Sequence, residues 1–308
     1  MRALVIGADG FVGRHLVEHL EESGDDVAAV SGPQSARSGG ALDVRDTARV
    51  RDVVRSAAPK AIYNLAGIAF GPDASTDFTR ALDVAVCGTA AVIEAAAIGR
   101  PTVLVTGSSE VYGGPPAGAT ITEEFPIRPA NPYGLTKALQ EQVALEYARL
   151  LNVPVVVTRS FNHIGPGQRE EFVVSAFALQ LARISTGQAA PVVRVGNLDA
   201  VRDFTDVRDV VRAYRLLVTT RIRGVAINVA SGHGVRIGEI LERLIAVSGL
   251  QVRVELDPAR VRSDDPPRIV GDASKLRRFT GWKPAIEFSE TLTDVWLEMR
   301  ERVLTGSA

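Results

Sequence analysis

Short apolar runs without alternation recur along the chain, separated by longer amphipathic stretches. Ala3-Leu4-Val5-Ile6, Val27-Ala28-Ala29-Val30, Ala61-Ile62-Tyr63-Asn64-Leu65, Thr102-Val103-Leu104-Val105-Thr106, Pro154-Val155-Val156-Val157-Thr158 and the run 226–230 are of this kind. A strand covered by helices on both faces reads this way, so the runs predict a parallel sheet of an α/β fold. Between them the pattern predicts helices ending near Ser23, before Gly24, and over 78–97, from Pro132 onward, and over 207–218. The rhythm is unbroken by internal repeats or low-complexity tracts.

Composition narrows the setting. At 308 residues the chain can bury one large or two modest cores. Its formal net charge of −1 supplies no field to recruit nucleic acid or an anionic membrane, so neither is an expected partner. No apolar run reaches the ~18 residues of a membrane span, and the first is too short for a signal peptide. The single cysteine, Cys87, excludes an internal disulfide and a cysteine-rich metal site. It lies in an apolar run and is expected to be buried. A cytoplasmic protein is the expectation.

The first apolar run ends in Gly7-Ala8-Asp9-Gly10-Phe11-Val12-Gly13, followed by a helix and a second strand. That context makes Gly7, Gly10, Phe11, Val12 and Gly13 candidates for a dinucleotide pyrophosphate site, with glycine allowing close backbone approach and the helix N-terminus supplying N–H groups. No acidic residue follows the second strand to grip a ribose 2′-hydroxyl; Ser31-Gly32-Pro33 does, with Arg14 and Arg37 the nearest cations. This favours NADPH, with NADH left open. Asp43, followed by Val44, could receive an adenine amino group or be a solvated loop residue. Leu65-Ala66-Gly67 closes the third strand on small residues, where backbone can lie against a flat cofactor.

Asn131-Pro132-Tyr133-Gly134-Leu135-Thr136-Lys137 carries the candidate chemistry. Asn131 fits a helix cap and Pro132 the first helical position, which places Tyr133 and Lys137 one turn apart on one face. An ammonium so placed is expected to lower a phenol's pKa from ~10 and make it a usable acid or base. Gly107-Ser108-Ser109-Glu110 ends the fourth strand, where ligands of open parallel sheets bind. His163 is expected to be structural, and His15 with His19 to line an exposed helix face rather than a metal site.

With the glycine turn, Asn-Leu-Ala-Gly, Ser-Ser-Glu and Tyr-Gly-Leu-Thr-Lys in this order, the chain resembles the extended short-chain dehydrogenase/reductases, the NAD-dependent epimerase/dehydratase family. The resemblance covers nearly its whole length. It implies a Rossmann-type doubly wound parallel sheet of seven strands with a smaller, mainly C-terminal substrate domain, divided as 1–160 with 206–230 and 161–205 with 231–308. It implies Ser108, Tyr133 and Lys137 as the catalytic set, with Lys137 also holding the nicotinamide ribose. Phe161–Gln168, Val195–Asp209, Arg262–Pro266 and Gly281–Pro284 are similar to enzymes of the GDP-mannose branch. From these come Asn162, Arg202 and Arg262 as diphosphate contacts and Asp265 near the nucleoside, with Arg202 and Arg262 expected in loops. Ser109 is a further candidate substrate contact.

The resemblance thus implies NAD(P)H-dependent reduction of the C4 ketone of a GDP-4-keto-6-deoxyhexose. A 4,6-dehydratase using Glu110, a 4-epimerase, or a non-catalytic NADP-binding sensor are the alternatives, the last disfavoured by the presence of both Tyr133 and Lys137. A homodimer through the Tyr133 helix and its neighbour is expected.

Overall fold

The computed structural model describes residues 1–33, 41–69, 71–116, 118–261 and 266–307. In its first half the apolar runs become β1 (Arg2–Ile6), β2 (Asp26–Val30), β3 (Ala61–Asn64), β4 (Thr102–Ser108) and β5 (Val155–Ser160). The amphipathic stretches become α1 (Phe11–Glu22), α2 (Thr47–Ala57), α3 (Gly71–Thr76), α4 (Phe78–Leu82), α5 (Gly88–Ala96) and α6 (Pro132–Leu151). A π-helical turn, Asp83–Cys87, joins α4 to α5, and a 3₁₀ turn, Ser109–Tyr112, follows β4.

Together with β9 (Val225–Val229), these strands form a six-stranded, wholly parallel sheet in the order β2-β1-β3-β4-β5-β9. The chain runs from β1 to one side and then reverses through β3 to the other. That leaves a crevice at the carboxyl end of β1, where the glycine turn lies. The seventh strand implied by the resemblance is not formed among the described residues. Leu42 and Val44 are buried beside β2, but only one bridge, Ser31 to Ala41, joins that segment to the sheet.

The helix over 78–97 forms with an interruption. The π turn rotates the face presented by the residues beyond it, and Cys87 is exposed instead of buried. Gly88, next in the chain, packs so tightly that a Cβ would come within 2.4 Å of the Val44 side chain.

Beyond β5 lie β6 (Asn162–Ile164), α7 (Val173–Ser185), β7 (Val192–Val195), β8 (Val201–Asp206) and α8 (Val207–Thr219), the last packing on α1. After β9 come β10 (Gly234–Arg236), α9 (Ile237–Ser248), β11 (Arg253–Leu256), β12 (Arg268–Ile269), α10 (Ser274–Thr280) and α11 (Phe288–Leu304). Strand β8 pairs with β6, β10 and β12, and β7 pairs with β11. Helices α7, α9 and α11 bury Phe177, Leu181, Leu244, Trp296 and Met299 in a second apolar cluster. Leu276 and Trp282 instead pack with β1, β3 and α8. Asp203 joins these parts, accepting from Ser231 N at 2.8 Å, Gly232 N at 3.0 Å and Gly271 N at 3.2 Å. Among the described residues no helix is long and apolar enough to cross a membrane.

Candidate active site

The glycine turn fits a pyrophosphate by its geometry. Gly7 has φ +88°, and a Cβ there would press on Leu65 at 3.3 Å, so the turn lies directly against the Leu65-Ala66-Gly67 loop. A Cβ on Gly13 would come within 2.1 Å of the Gly7 carbonyl oxygen, so only glycine lets α1 start this close to β1. Gly10, the N-cap, has no side chain to satisfy the first-turn N–H groups, which Phe11, Val12 and Gly13 carry. An uncapped helix start facing a crevice suits an anion.

The adenosine end differs from expectation. Asp9, from the glycine turn, reaches the end of β2 and accepts from Gly32 N at 3.2 Å. A carboxylate therefore stands where the strand's own sequence lacks one. Asp43 is gripped by the Arg45 guanidinium at 2.6–3.1 Å, which holds its carboxyl below the usual range. The Val44 side chain is buried against Gly88. Arg14 donates to the Gly167 carbonyl at 2.9 Å, and Arg37 lies outside the described residues.

Helix α6 begins as expected, and its start is clamped to the 3₁₀ turn. Asn131 Oδ1 accepts from Gly134 N at 2.7 Å, while its Nδ2 donates to Glu110 Oε2 at 2.9 Å. A Cβ on Gly134 would come within 2.6 Å of the Glu110 carbonyl oxygen, which explains the glycine after Tyr133. This approach sets the Tyr133 phenol near Ser108, whose hydroxyl acts to lower the phenol's pKa. Ser108 Oγ also accepts from Glu110 N at 3.2 Å, and Ser109 is buried beside it in the turn.

Lys137 is buried, and its Nζ donates to the Thr106 carbonyl at 2.9 Å and to Gln140 Oε1 at 2.9 Å. A Cβ added to Gly67 would sit 3.3 Å from that ammonium. The lysine thus lies at the junction of α6, β4 and the Leu65-Ala66-Gly67 loop. Its expected effect on the phenol is not seen. Burial pushes Tyr133 up to about 12 despite the opposing effect of Ser108, and burial pushes Lys137 down to about 8.

Asn162 and Arg202 come from adjacent strands: Asn162 pairs with Phe204, two residues beyond Arg202, so the register puts both on one face of the small sheet. Asn162 is exposed. Arg202 lies in β8 rather than in a loop and is mostly buried, one Nη donating to Val201 O at 2.8 Å. A strand position fixes its stem better than a loop would. Arg262 and Asp265 lie outside the described residues.

His163 stacks on Phe11 with ring centroids 6.0 Å apart, and its Nδ1 bonds Phe161 O at 3.1 Å. His15 is half-buried against Pro166 O at 2.9 Å, and His19 is also half-buried, so the expected exposed histidine face is not found. No metal-binding group of acids, cysteines or histidines occurs among the described residues.

Comparison with known proteins decides the family. The model of the GDP-mannose 4,6-dehydratase family matches residues 4–295. The chain belongs to this family. Among curated relatives of the family, it is 34% identical to a GDP-6-deoxy-D-mannose reductase of Pseudomonas aeruginosa, over 98% of each chain. It is 27% identical to a GDP-6-deoxy-D-talose 4-dehydrogenase of Aggregatibacter actinomycetemcomitans, over 91% of this chain and 92% of that one. Among solved structures it is similar to RMD from Pseudomonas aeruginosa complexed with NADPH, with a TM-score of 0.88, 32% identity, and 98% and 100% of the two chains covered. A Thermus thermophilus UDP-glucose 4-epimerase in complex with NAD follows at TM-score 0.85 and 27% identity, over 97% and 99%. The Rossmann-type α/β fold and the short-chain dehydrogenase/reductase resemblance are borne out.

Two features escaped sequence reasoning. Asp9 was hidden because its role depends on the turn folding back onto β2. Gln140 and Thr89, which with Asn64 of the Asn-Leu-Ala-Gly motif line the buried side of Lys137, were hidden because neutral side chains carry no charge pattern; the signal for Gln140 was its place three residues after Lys137 on the same helix face.

Proposed function

We propose that this protein reduces the C4 ketone of GDP-4-keto-6-deoxymannose to GDP-D-rhamnose, using NADPH or NADH. The observation that carries the reading is the 34% identity, over 98% of both chains, to a GDP-6-deoxy-D-mannose reductase. The candidate site supports it. In reduction the catalytic acid must hold a proton at neutral pH, and Tyr133, with its pKa pushed up to about 12, does so. Bound NAD(P)H supplies the hydride to C4. Tyr133 gives its proton to the C4 oxygen, Ser108 orients that oxygen, and the Lys137 ammonium binds the nicotinamide ribose. Gly7, Gly10, Phe11, Val12 and Gly13 hold the pyrophosphate, and Leu65, Ala66 and Gly67 lie against the cofactor. Asn162 and Arg202, with Arg262 and Asp265, receive the GDP moiety.

A 4,6-dehydratase needs a further free base. Glu110 Oε2 accepts from Asn131 Nδ2 at 2.9 Å, and its other oxygen stays open among the described residues, so Glu110 does not decide between dehydration and reduction. The protein acts in the cytoplasm as a homodimer in this reading; Leu135 and Leu139, 41% and 42% exposed on α6, provide an apolar face for the second copy. The division into 1–160 with 206–230 and 161–205 with 231–308 belongs to the same reading.

The test mixes protein, NADPH and GDP-4-keto-6-deoxymannose, follows the nicotinamide absorbance and identifies the sugar. Loss of NADPH with formation of GDP-rhamnose is expected. Conversion of GDP-mannose to the 4-keto sugar without net NADPH use would assign the dehydratase instead.

A further inference from the structure

Lys137 carries its charge where charge is costly, and the side chain facing its ammonium is neutral. Gln140 and Thr89 are fully buried and Asn64 is 1% exposed. The Gln140 amide could in principle turn either end to the lysine; the wrong end would set an NH₂ against an NH₃⁺. The ammonium decides between them, because it can only donate: the Gln140 carbonyl faces Lys137, and its Nε2 donates to Thr89 Oγ1 at 3.0 Å, which also accepts from Asn64 Nδ2 at 3.2 Å. Asn64 closes the circuit. Its Oδ1 accepts from Ala66 N at 3.3 Å, and its carbonyl accepts from Thr106 Oγ1 at 3.2 Å. Thr106 in turn offers its own carbonyl to Lys137.

We propose that Gln140, oriented by Thr89 and Asn64, is a positioning residue that fixes the Lys137 ammonium at the nicotinamide half-site and couples it to the Leu65-Ala66-Gly67 loop. The proposal rests on the role given to Lys137 above. A carboxylate at this position would neutralise the ammonium as well as hold it. An amide oxygen orients it and leaves the charge and a third N–H for a ligand.

The carboxylates on α6, α5, α3 and the 3₁₀ turn are paired with other groups. Glu141 of α6 binds Arg159, Glu94 of α5 binds Tyr147, Asp73 of α3 binds Arg169, and Glu110 binds Asn131. Glu146 and Arg149 of α6 pair with each other, and Tyr133, Tyr112, Arg80, Asp83 and Cys87 are the other such groups on α6, the 3₁₀ turn, α4 and the π turn. None of these groups contributes to the lysine's shift, which comes from burial.

The test titrates NADPH by its fluorescence from acid to alkaline pH in the wild type and in Gln140→Leu, Gln140→Glu and Thr89→Val, with folding followed by thermal melting. Wild-type affinity is expected to weaken as pH rises through about 8. Gln140→Leu should weaken binding ~5-fold or more at neutral pH and move the break down by about one pH unit, and Thr89→Val should do the same more mildly. Gln140→Glu should move the break up, because a carboxylate stabilises the ammonium, with binding still weaker than in the wild type because it also neutralises it. Breaks in Gln140→Leu and Thr89→Val that coincide with the wild type, whatever their melting temperatures, would reduce Gln140 to packing and overturn the proposal. A wild type without the break would do so too. No sugar nucleotide enters this experiment, so failure of the reductase assay and failure of this proposal are separate results.

Discussion

Two cations are buried against α6, and the protein treats them in opposite ways. Arg159, on β5, meets the Glu141 carboxylate in a bidentate pair at 2.6 and 2.9 Å and also bonds Tyr112 at 2.8 Å. Burial pushes the guanidinium's pKa down, but Glu141 beside it more than reverses this. Lys137, one helical turn before Glu141, gets a carbonyl and an amide, and its pKa falls to about 8. Glu141 would be the natural i, i+4 partner of Lys137, and Arg159 occupies both of its oxygens. In the function proposed above, the difference separates a cation that holds the fold from one kept available to a ligand. The first is neutralised by charge, the second only steered by dipoles.

Breaking the structural pair should have the largest effect. Glu141→Leu leaves Arg159 buried without its counter-charge and should cost about 3–5 kcal/mol of stability, measured by chemical denaturation. A loss under about 1 kcal/mol would show that the pair contributes little and would erase the contrast with Lys137. On the catalytic side, Tyr133→Phe should lower turnover ~10²-fold or more, about 2.7 kcal/mol in the barrier, with NADPH affinity nearly unchanged. Full turnover in that variant would remove the tyrosine from the mechanism.

The contrast also marks how far the sequence was legible. The glycine turn could be read because its residues are demanded by backbone geometry: no other side chain fits at Gly13 beside the Gly7 carbonyl. Tyr133 and Lys137 could be read because a cap, a proline and a four-residue spacing fix their shared face. The environment that tunes them could not. Whether Lys137 meets a carboxylate or an amide depends on Arg159 arriving from a distant strand to occupy Glu141, and no local pattern contains that. The same holds for Asp9 at the β2 end, for Arg202 in a strand, and for Cys87, whose exposure follows from a π turn that an ordinary helical wheel does not anticipate.

The pH dependence sharpens the comparison, because for Lys137 activity and stability should move in opposite directions. Reductive kcat/KM should fall as pH rises through about 8, where the folded lysine loses its charge. An unfolded lysine keeps its proton to about 10.5, so between about 8 and 10.5 the unfolded state binds more protons than the folded one, and the stability of the native state rises with pH. The stability advantage of Lys137→Met over wild type should therefore be complete below about pH 8 and vanish towards 10.5. A difference independent of pH would mean that the buried ammonium keeps its ordinary affinity for protons.

The smallest expected effect concerns a third buried polar group, which receives neither treatment. Tyr63, on β3 next to Asn64, is 0% exposed, and its hydroxyl has no hydrogen-bond partner among the described residues. Burial pushes its pKa up, with the Asp25 carboxylate acting in the same direction. A hydroxyl removed from water without a partner costs about 1–3 kcal/mol, and it adds little to packing that a phenyl ring would not provide. Tyr63→Phe should therefore raise stability by up to about 1 kcal/mol, read as a higher denaturation midpoint with an unchanged slope. A clear loss of stability would mean that the hydroxyl does find a partner in solution, such as a buried water, and that polar groups in this core are satisfied more widely than around Lys137 and Arg159 alone.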